Sequence, residues 1–129
     1  MASPTKRVLV VDDEETEREA LRELLATWGF KAEAVEDGKR AVEMLRAFQP
    51  DIVVLDLGLP DTAGADVVRR IREDGKARII IFSGWHRLRD EALAAGADAF
   101  VLKPDLEALE RALLTATPQP EVARKKQRR

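Results

Sequence analysis

Short apolar runs and longer amphipathic stretches alternate along this chain. Val8–Val11, Ile52–Leu55, Ile79–Phe82 and Ala99–Leu102 are apolar blocks of four, too short for helices, and Phe30–Val35 is a weaker fifth. Ile52–Leu55 is the most telling, because an uninterrupted, β-branched run bounded by polar residues reads as a strand buried on both faces. Between the blocks the period changes. Ala20, Leu21, Leu24, Leu25 and Trp28 recur at helical spacing, and Gly29 follows in the position that commonly ends a helix. Asp37 is placed to cap a second helix carrying Ala41, Val42, Leu45 and Phe48, which Pro50 closes. Ala65–Arg72 predicts a third with Val67, Val68 and Ile71 inward and Gly75 as its stop. His86–Ala95 predicts a fourth, ending at Gly96. Asp105 caps a fifth, with Leu106, Leu109 and Leu113 inward.

Strand and helix thus alternate five times with short joints. That pattern predicts an α/β domain, a parallel sheet with helices on both faces joined by right-handed crossovers. At 129 residues the chain is one domain by length. Charged residues make up 36% of it with the signs nearly balanced, and there is no cysteine. This excludes a disulfide framework and fits a reducing cytosol, so a cytoplasmic location is expected. No apolar run approaches a membrane span, and no membrane partner is expected.

Charge is unevenly placed. Residues 121–129 carry five basic side chains and one acidic, net +4, so with −2 overall residues 1–120 carry −6. Residues 1–117 are assigned to the domain and 118–129 to a basic tail or linker. Arg124, Lys125, Lys126, Arg128 and Arg129 could contact nucleic acid or an acidic partner. The tail has no aromatic to stack on bases, and a disordered, solubilising end is the preferred reading.

The residues that end the strands carry the chemistry. In chain order, Val8–Val11 ends on Asp12 and Asp13, Ile52–Leu55 on Asp56, Ile79–Phe82 on Ser83 and Ala99–Leu102 on Lys103. In a parallel sheet these ends share one edge, where open α/β sheets form their binding crevice. Three close carboxylates repel one another unless neutralised, and no arginine is placed to do so. A hard divalent cation would serve, and Mg²⁺ needs only one or two protein carboxylates. Lys103 supplies a point charge suited to a phosphoryl group, and Ser83 a hydroxyl donor. Asp56 is left as a nucleophile. The residues by themselves point to metal-assisted phosphoryl transfer to Asp56. Each has a plainer role to set beside this: Asp12 or Asp13 as a helix cap, Lys103 as a solvated surface lysine, His86, Arg87 and Arg89 as a solvated helix face.

Over about residues 6 to 116 the sequence resembles the receiver domain of bacterial two-component response regulators. The resemblance rests on Val10-Val11-Asp12-Asp13-Glu14, on Asp56 with Pro60 and Gly64, on Ser83-Gly84 and on Lys103-Pro104. It implies a doubly wound, five-stranded, flavodoxin-like sheet of order 2-1-3-4-5. It implies that Asp56 accepts a phosphoryl group from a histidine kinase or phosphotransfer protein, with Asp12, Asp13 and the Gly58 carbonyl serving Mg²⁺. Ser83 and Phe100 correspond to the switch pair, and the Lys103–Pro104 bond is expected to be cis. A downstream protein would dock on the face of helix 4, strand 5 and helix 5; dimerisation through helices 4 and 5 is left open. Such a protein is not an enzyme beyond its own phosphorylation and dephosphorylation. Gly58, and Gly84 with Trp85 at the mouth of the site, depart from the family pattern; Gly58 would open an acyl phosphate to water and Trp85 would close it.

Two rivals stand beside this reading. An aspartate-nucleophile phosphatase of the haloacid dehalogenase type wants a second Asp where Gly58 stands. A receiver-like module used only for protein contact could have lost the polar residues that are present here. The chain is expected to be either a stand-alone receiver or the receiver part of a longer regulator.

Overall fold

The computed structural model describes residues 5–115; the predicted basic tail, 118–129, lies outside them. The elements are β1 (Arg7–Val11), α1 (Glu15–Thr27), β2 (Lys31–Val35), α2 (Gly38–Phe48), β3 (Ile52–Leu55), α3 (Gly64–Asp74), β4 (Arg78–Ser83), α4 (Arg89–Ala95), β5 (Ala99–Leu102) and α5 (Leu106–Thr115). The five strands form one parallel sheet of order β2-β1-β3-β4-β5, the order the resemblance implied. Among the described residues no helix is long and apolar enough to cross a membrane.

Alternation along the strands explains the two-sided core. Leu9, Val11, Val53, Leu55, Ile79 and Ile81 point to one face, where Ala41 of α2, Val67, Val68 and Ile71 of α3 and Ala92 of α4 cover them. Val8, Val10, Ile52, Val54, Ile80, Phe82 and Val101 point to the other, beneath Leu21 and Leu25 of α1 and Leu109 and Leu113 of α5. The central strands must therefore be apolar at every position, which is why they read as unbroken blocks.

Three helical expectations need correction. His86–Leu88 is a 3-10 turn, and α4 proper begins only at Arg89. Ala20 and Leu106 are exposed rather than inward. Both line a groove of about 240 Å³, together with Leu21, Leu24, Phe82 and Pro104. Trp28 is half-buried and packs on the core as expected.

Two devices hold the frame. At the edge opposite the strand-end aspartates, the Arg72 guanidinium donates to the Gly96 carbonyl, the Ala77 carbonyl and Asp98 Oδ2, the last at 2.6 Å. Asp98 also accepts from the Ile79 amide at 2.8 Å, so the start of β5 is tied to α3 and β4. Near the other edge, Gly64 lies against the loop after β3. A Cβ built at Gly64 would stand 3.0 Å from the Leu57 Cα and 2.6 Å from its Cδ2. Gly64→Ala must displace backbone, and it is predicted to destabilise the fold by about 1–3 kcal/mol. Urea unfolding followed by far-UV circular dichroism measures this; an unchanged midpoint would refute the close packing.

Candidate functional site

Three strands deliver carboxylates and an ammonium group to one place. The Asp56 amide donates to Val11 O at 2.9 Å and the Asp12 amide to Val35 O at 3.1 Å, so each residue continues its ladder one step past the strand. Alternation then places Asp12, Asp56 and Lys103 on the α1 side of the sheet, with Val10, Val54 and Val101. Ser83, in phase with Ile79 and Ile81, belongs to the opposite side.

Asp12, Asp13 and Asp56 each offer a carboxylate oxygen within 4.8 Å of the others. Asp12 is almost wholly buried, Asp13 is exposed and Asp56 lies between. The Lys103 ammonium joins this group, donating to Asp12 Oδ2 at 3.1 Å and Asp56 Oδ2 at 3.0 Å. It also donates to Glu17 Oε1 at 2.6 Å, and it stands 5.8 Å from the centre of the Phe82 ring. Lys103 is thus no solvated surface lysine. It is the neutralising cation that no arginine supplies; Arg18 reaches only the backbone carbonyl of Asp12. Glu17 was not foreseen from the sequence. Nothing in helical spacing marks a first-turn glutamate as reaching a lysine 86 positions away.

Burial dominates at Asp12 and raises its pKa, although the Glu14 amide and Lys103 both favour the charged form. At Lys103 burial alone would lower the pKa. Glu17 first, then Asp56 and Asp12, outweigh it, and the ammonium is held charged. The two shifts agree physically: one cation, shared among three carboxylates, does not fully offset the desolvation of the deepest.

Asp12 accepts from the Glu14 amide at 2.9 Å, but the cap of α1 is Glu14, which accepts from the Glu17 amide at 2.8 Å. Neither Asp12 nor Asp13 is spent as the cap. Gly58 donates its amide to Asp56 Oδ1 at 3.3 Å, and Asp61 pins the same loop to the start of α2 through the Gly38 and Lys39 amides. These amides hold the Asp61 carboxyl below its ordinary pKa. Ser83 is fully buried, and its Oγ accepts from the Trp85 amide at 3.1 Å. The Trp85 side chain is exposed and lies over Gly58; a Cβ there would meet the indole Nε1 at 2.6 Å. The indole occupies the room that a larger residue 58 would fill. Gly84 has open space about it, Phe100 is half-buried against the α2–α4 core, and Lys103–Pro104 is cis. His86, Arg87 and Arg89 are exposed.

A family model described as the response regulator receiver domain matches residues 8–114. The two-component response regulator PhoP of Pseudomonas aeruginosa is 39% identical over 115 residues, covering 84% of this chain and 51% of that protein. The chemotaxis protein CheY of Halobacterium salinarum is 38% identical over 102 residues, 77% of this chain and 85% of that one. Among solved structures, the response regulator TrrA of Thermotoga maritima in complex with Mg²⁺-BeF superposes with a TM-score of 0.82. It is 31% identical, and the match covers 88% of this chain and all of that one. The chain spans about half the length of PhoP and of the MprA and MtrA regulators it also matches.

Linkage gives the site a pH signature. Because folding raises the Asp12 pKa, the stability this carboxyl contributes is present in acid and lost as pH rises through its shifted value. Asp12→Asn removes that loss. In metal-free buffer its Tm at pH 7 is predicted to exceed the wild type by a few degrees, the gap closing as pH falls below the ordinary carboxylate value of 3.8. A lower Tm for the variant across this range would show that the Lys103 ion pair outweighs desolvation.

Proposed function

The chain belongs to the response regulator receiver domain family, and on that premise we propose that Asp56 accepts a phosphoryl group and thereby switches a protein-docking face. The observation that carries the proposal is the convergence of Asp12, Asp13 and Asp56 within 4.8 Å, with the Lys103 ammonium 3.0 Å from Asp56. In the transfer, an Asp56 carboxylate oxygen attacks phosphorus. The P–N bond of a phosphohistidine, or the P–O bond of an acyl phosphate donor, breaks as the leaving group departs with the bonding pair. A histidine kinase or phosphotransfer protein is the donor proposed, and the cytoplasm the place.

The donor set fits Mg²⁺: the converging groups are all hard carboxylate oxygens, and their charge exceeds what one lysine offsets. Asp12, Asp13 and Asp56, with the Gly58 carbonyl, would hold the ion. When bound it supplies charge neutralisation on the phosphoryl oxygens. Lys103 adds a cation beside Asp56 suited to a phosphoryl oxygen.

A phosphoryl group on Asp56 would draw the Ser83 hydroxyl and Lys103 toward it. Turning Ser83 costs its bond from the Trp85 amide, which frees the loop between β4 and α4. Room vacated there lets Phe100 turn, and the face of α4, β5 and α5 changes shape; a partner selecting that shape is the output. Trp85 covers the approach that Gly58 leaves open, so these two of the departures from the family pattern act as one pair. The chain catalyses only its own phosphorylation and dephosphorylation. A haloacid dehalogenase-type phosphatase would need a carboxylate where Gly58 stands.

Intact mass after incubation with Mg²⁺ and acetyl phosphate tests the proposal. The wild type should gain one phosphoryl group, and Asp56→Asn or omission of Mg²⁺ should abolish the gain. A wild type that neither gains mass nor binds beryllofluoride would favour the rival module used only for protein contact. Ser83→Ala should still be phosphorylated yet fail to alter partner binding; coupling left intact would refute its switch role. Trp85→Ala should shorten the phosphorylated lifetime several-fold, and a lifetime unchanged or lengthened would refute the covering role.

A further inference from the structure

An ammonium group has three hydrogen-bond donors and no more. On Lys103 all three are taken by carboxylates: Asp12 Oδ2 at 3.1 Å, Asp56 Oδ2 at 3.0 Å and Glu17 Oε1 at 2.6 Å. The first two acceptors are fixed by the ends of β1 and β3. The third is the shortest contact and comes from outside the strand-end cluster, on a half-exposed side chain in the first turn of α1. We infer that Glu17 is a positioning residue for Lys103, tethering its ammonium to the first turn of α1 and so restraining its transfer to a phosphoryl group on Asp56. The inference rests on the reading of Asp56 as phosphoacceptor and adds a set-point to it.

Two physical effects share one sign. A phosphoryl group on Asp56 presents new acceptors to a donor whose three hydrogen bonds are all engaged, and the bond to Asp56 is the one redirected, because that carboxylate is the group phosphorylated. As the ammonium follows the phosphoryl group, its contact to Glu17, the shortest of the three, resists the displacement. The Glu17 carboxylate also repels the incoming phosphoryl charge. Both effects raise the free energy of the phosphorylated arrangement. Lys103 is the only partner of the Glu17 carboxylate among the described residues, and more than half of its side chain is exposed. Neutralising it therefore strips no cap and leaves no core group unpaired.

Glu17→Gln keeps the shape and removes the charge. With saturating Mg²⁺, and with Trp85 fluorescence as the readout, the variant should bind beryllofluoride more tightly. It should also gain phosphoryl from acetyl phosphate faster, each by roughly two- to fivefold, the range of a half-exposed ion pair. Glu15→Gln, which removes a charge from the same turn without touching Lys103, should change neither. In the metal-free protein the Lys103 ammonium resonance in ¹H–¹⁵N NMR should be visible in the wild type and broadened in Glu17→Gln. Equal or weaker beryllofluoride binding by Glu17→Gln overturns the inference, as does an equal gain in Glu15→Gln. If the wild type itself binds no beryllofluoride and gains no phosphoryl group while the ammonium resonance still responds to Glu17→Gln, the phosphoacceptor reading has failed and the ion pair is merely structural. If the wild type binds and reacts but Glu17→Gln matches it, only the inference has failed.

Discussion

One ammonium group shared among carboxylates is the constraint on which this molecule turns. Asp12 is buried and Asp56 nearly so, and burial of such groups is tolerable only with a cation between them. The order of the sheet makes this demanding. β5 lies two strands from β3 and three from β1, at roughly 4.8 Å per strand. A long side chain leaving the end of β5, met partway by the carboxylates of Asp12 and Asp56, bridges that distance, and Lys103 supplies it. The remaining carboxylate charge is a standing attraction for a hard cation, so electrostatic cost and proposed chemistry are two aspects of one arrangement.

The surroundings separate what is held from what is free to move. The start of β5 is locked through Asp98 to Arg72 and the Ile79 amide. The loop after β3 is held by Asp61 on α2 and by the close approach of Gly64 to Leu57. Between β4 and α4 the hydrogen bonds are local, from the Trp85 amide to Ser83 and from the Leu88 amide to the Trp85 carbonyl, with a glycine that has open space about it and a 3-10 turn before a short helix. On the proposed reading, movement set off at Asp56 is directed there because the other exits are closed.

Most of this was legible in the sequence because burial on two faces writes itself as unbroken apolar blocks, and a parallel sheet brings the residues after those blocks to one edge. Asp12, Asp13, Asp56, Ser83 and Lys103 could be placed by that rule alone. Periodicity tells which residues share a helix face, but not whether anything covers it, and so Ala20 and Leu106 were misplaced. Two adjacent aspartates before α1 obscured Glu14 as its cap. The contact of Trp85 with Gly58 joins two loops, and that of Glu17 with Lys103 joins a helix to a strand end. Neither leaves a periodic trace, so three-dimensional placement alone revealed them.

The central claim is that the reactive nucleophile is the carboxylate of Asp56, and reductive trapping addresses it chemically. Borohydride converts an acyl phosphate, but not a phosphoserine or a phosphohistidine, to the corresponding alcohol. After exposure to Mg²⁺ and acetyl phosphate, peptide mass spectrometry should find residue 56 as homoserine and no other residue reduced. Reduction at Asp12 or Asp13 instead, or phosphate found on Ser83 or His86 with residue 56 untouched, would contradict the account.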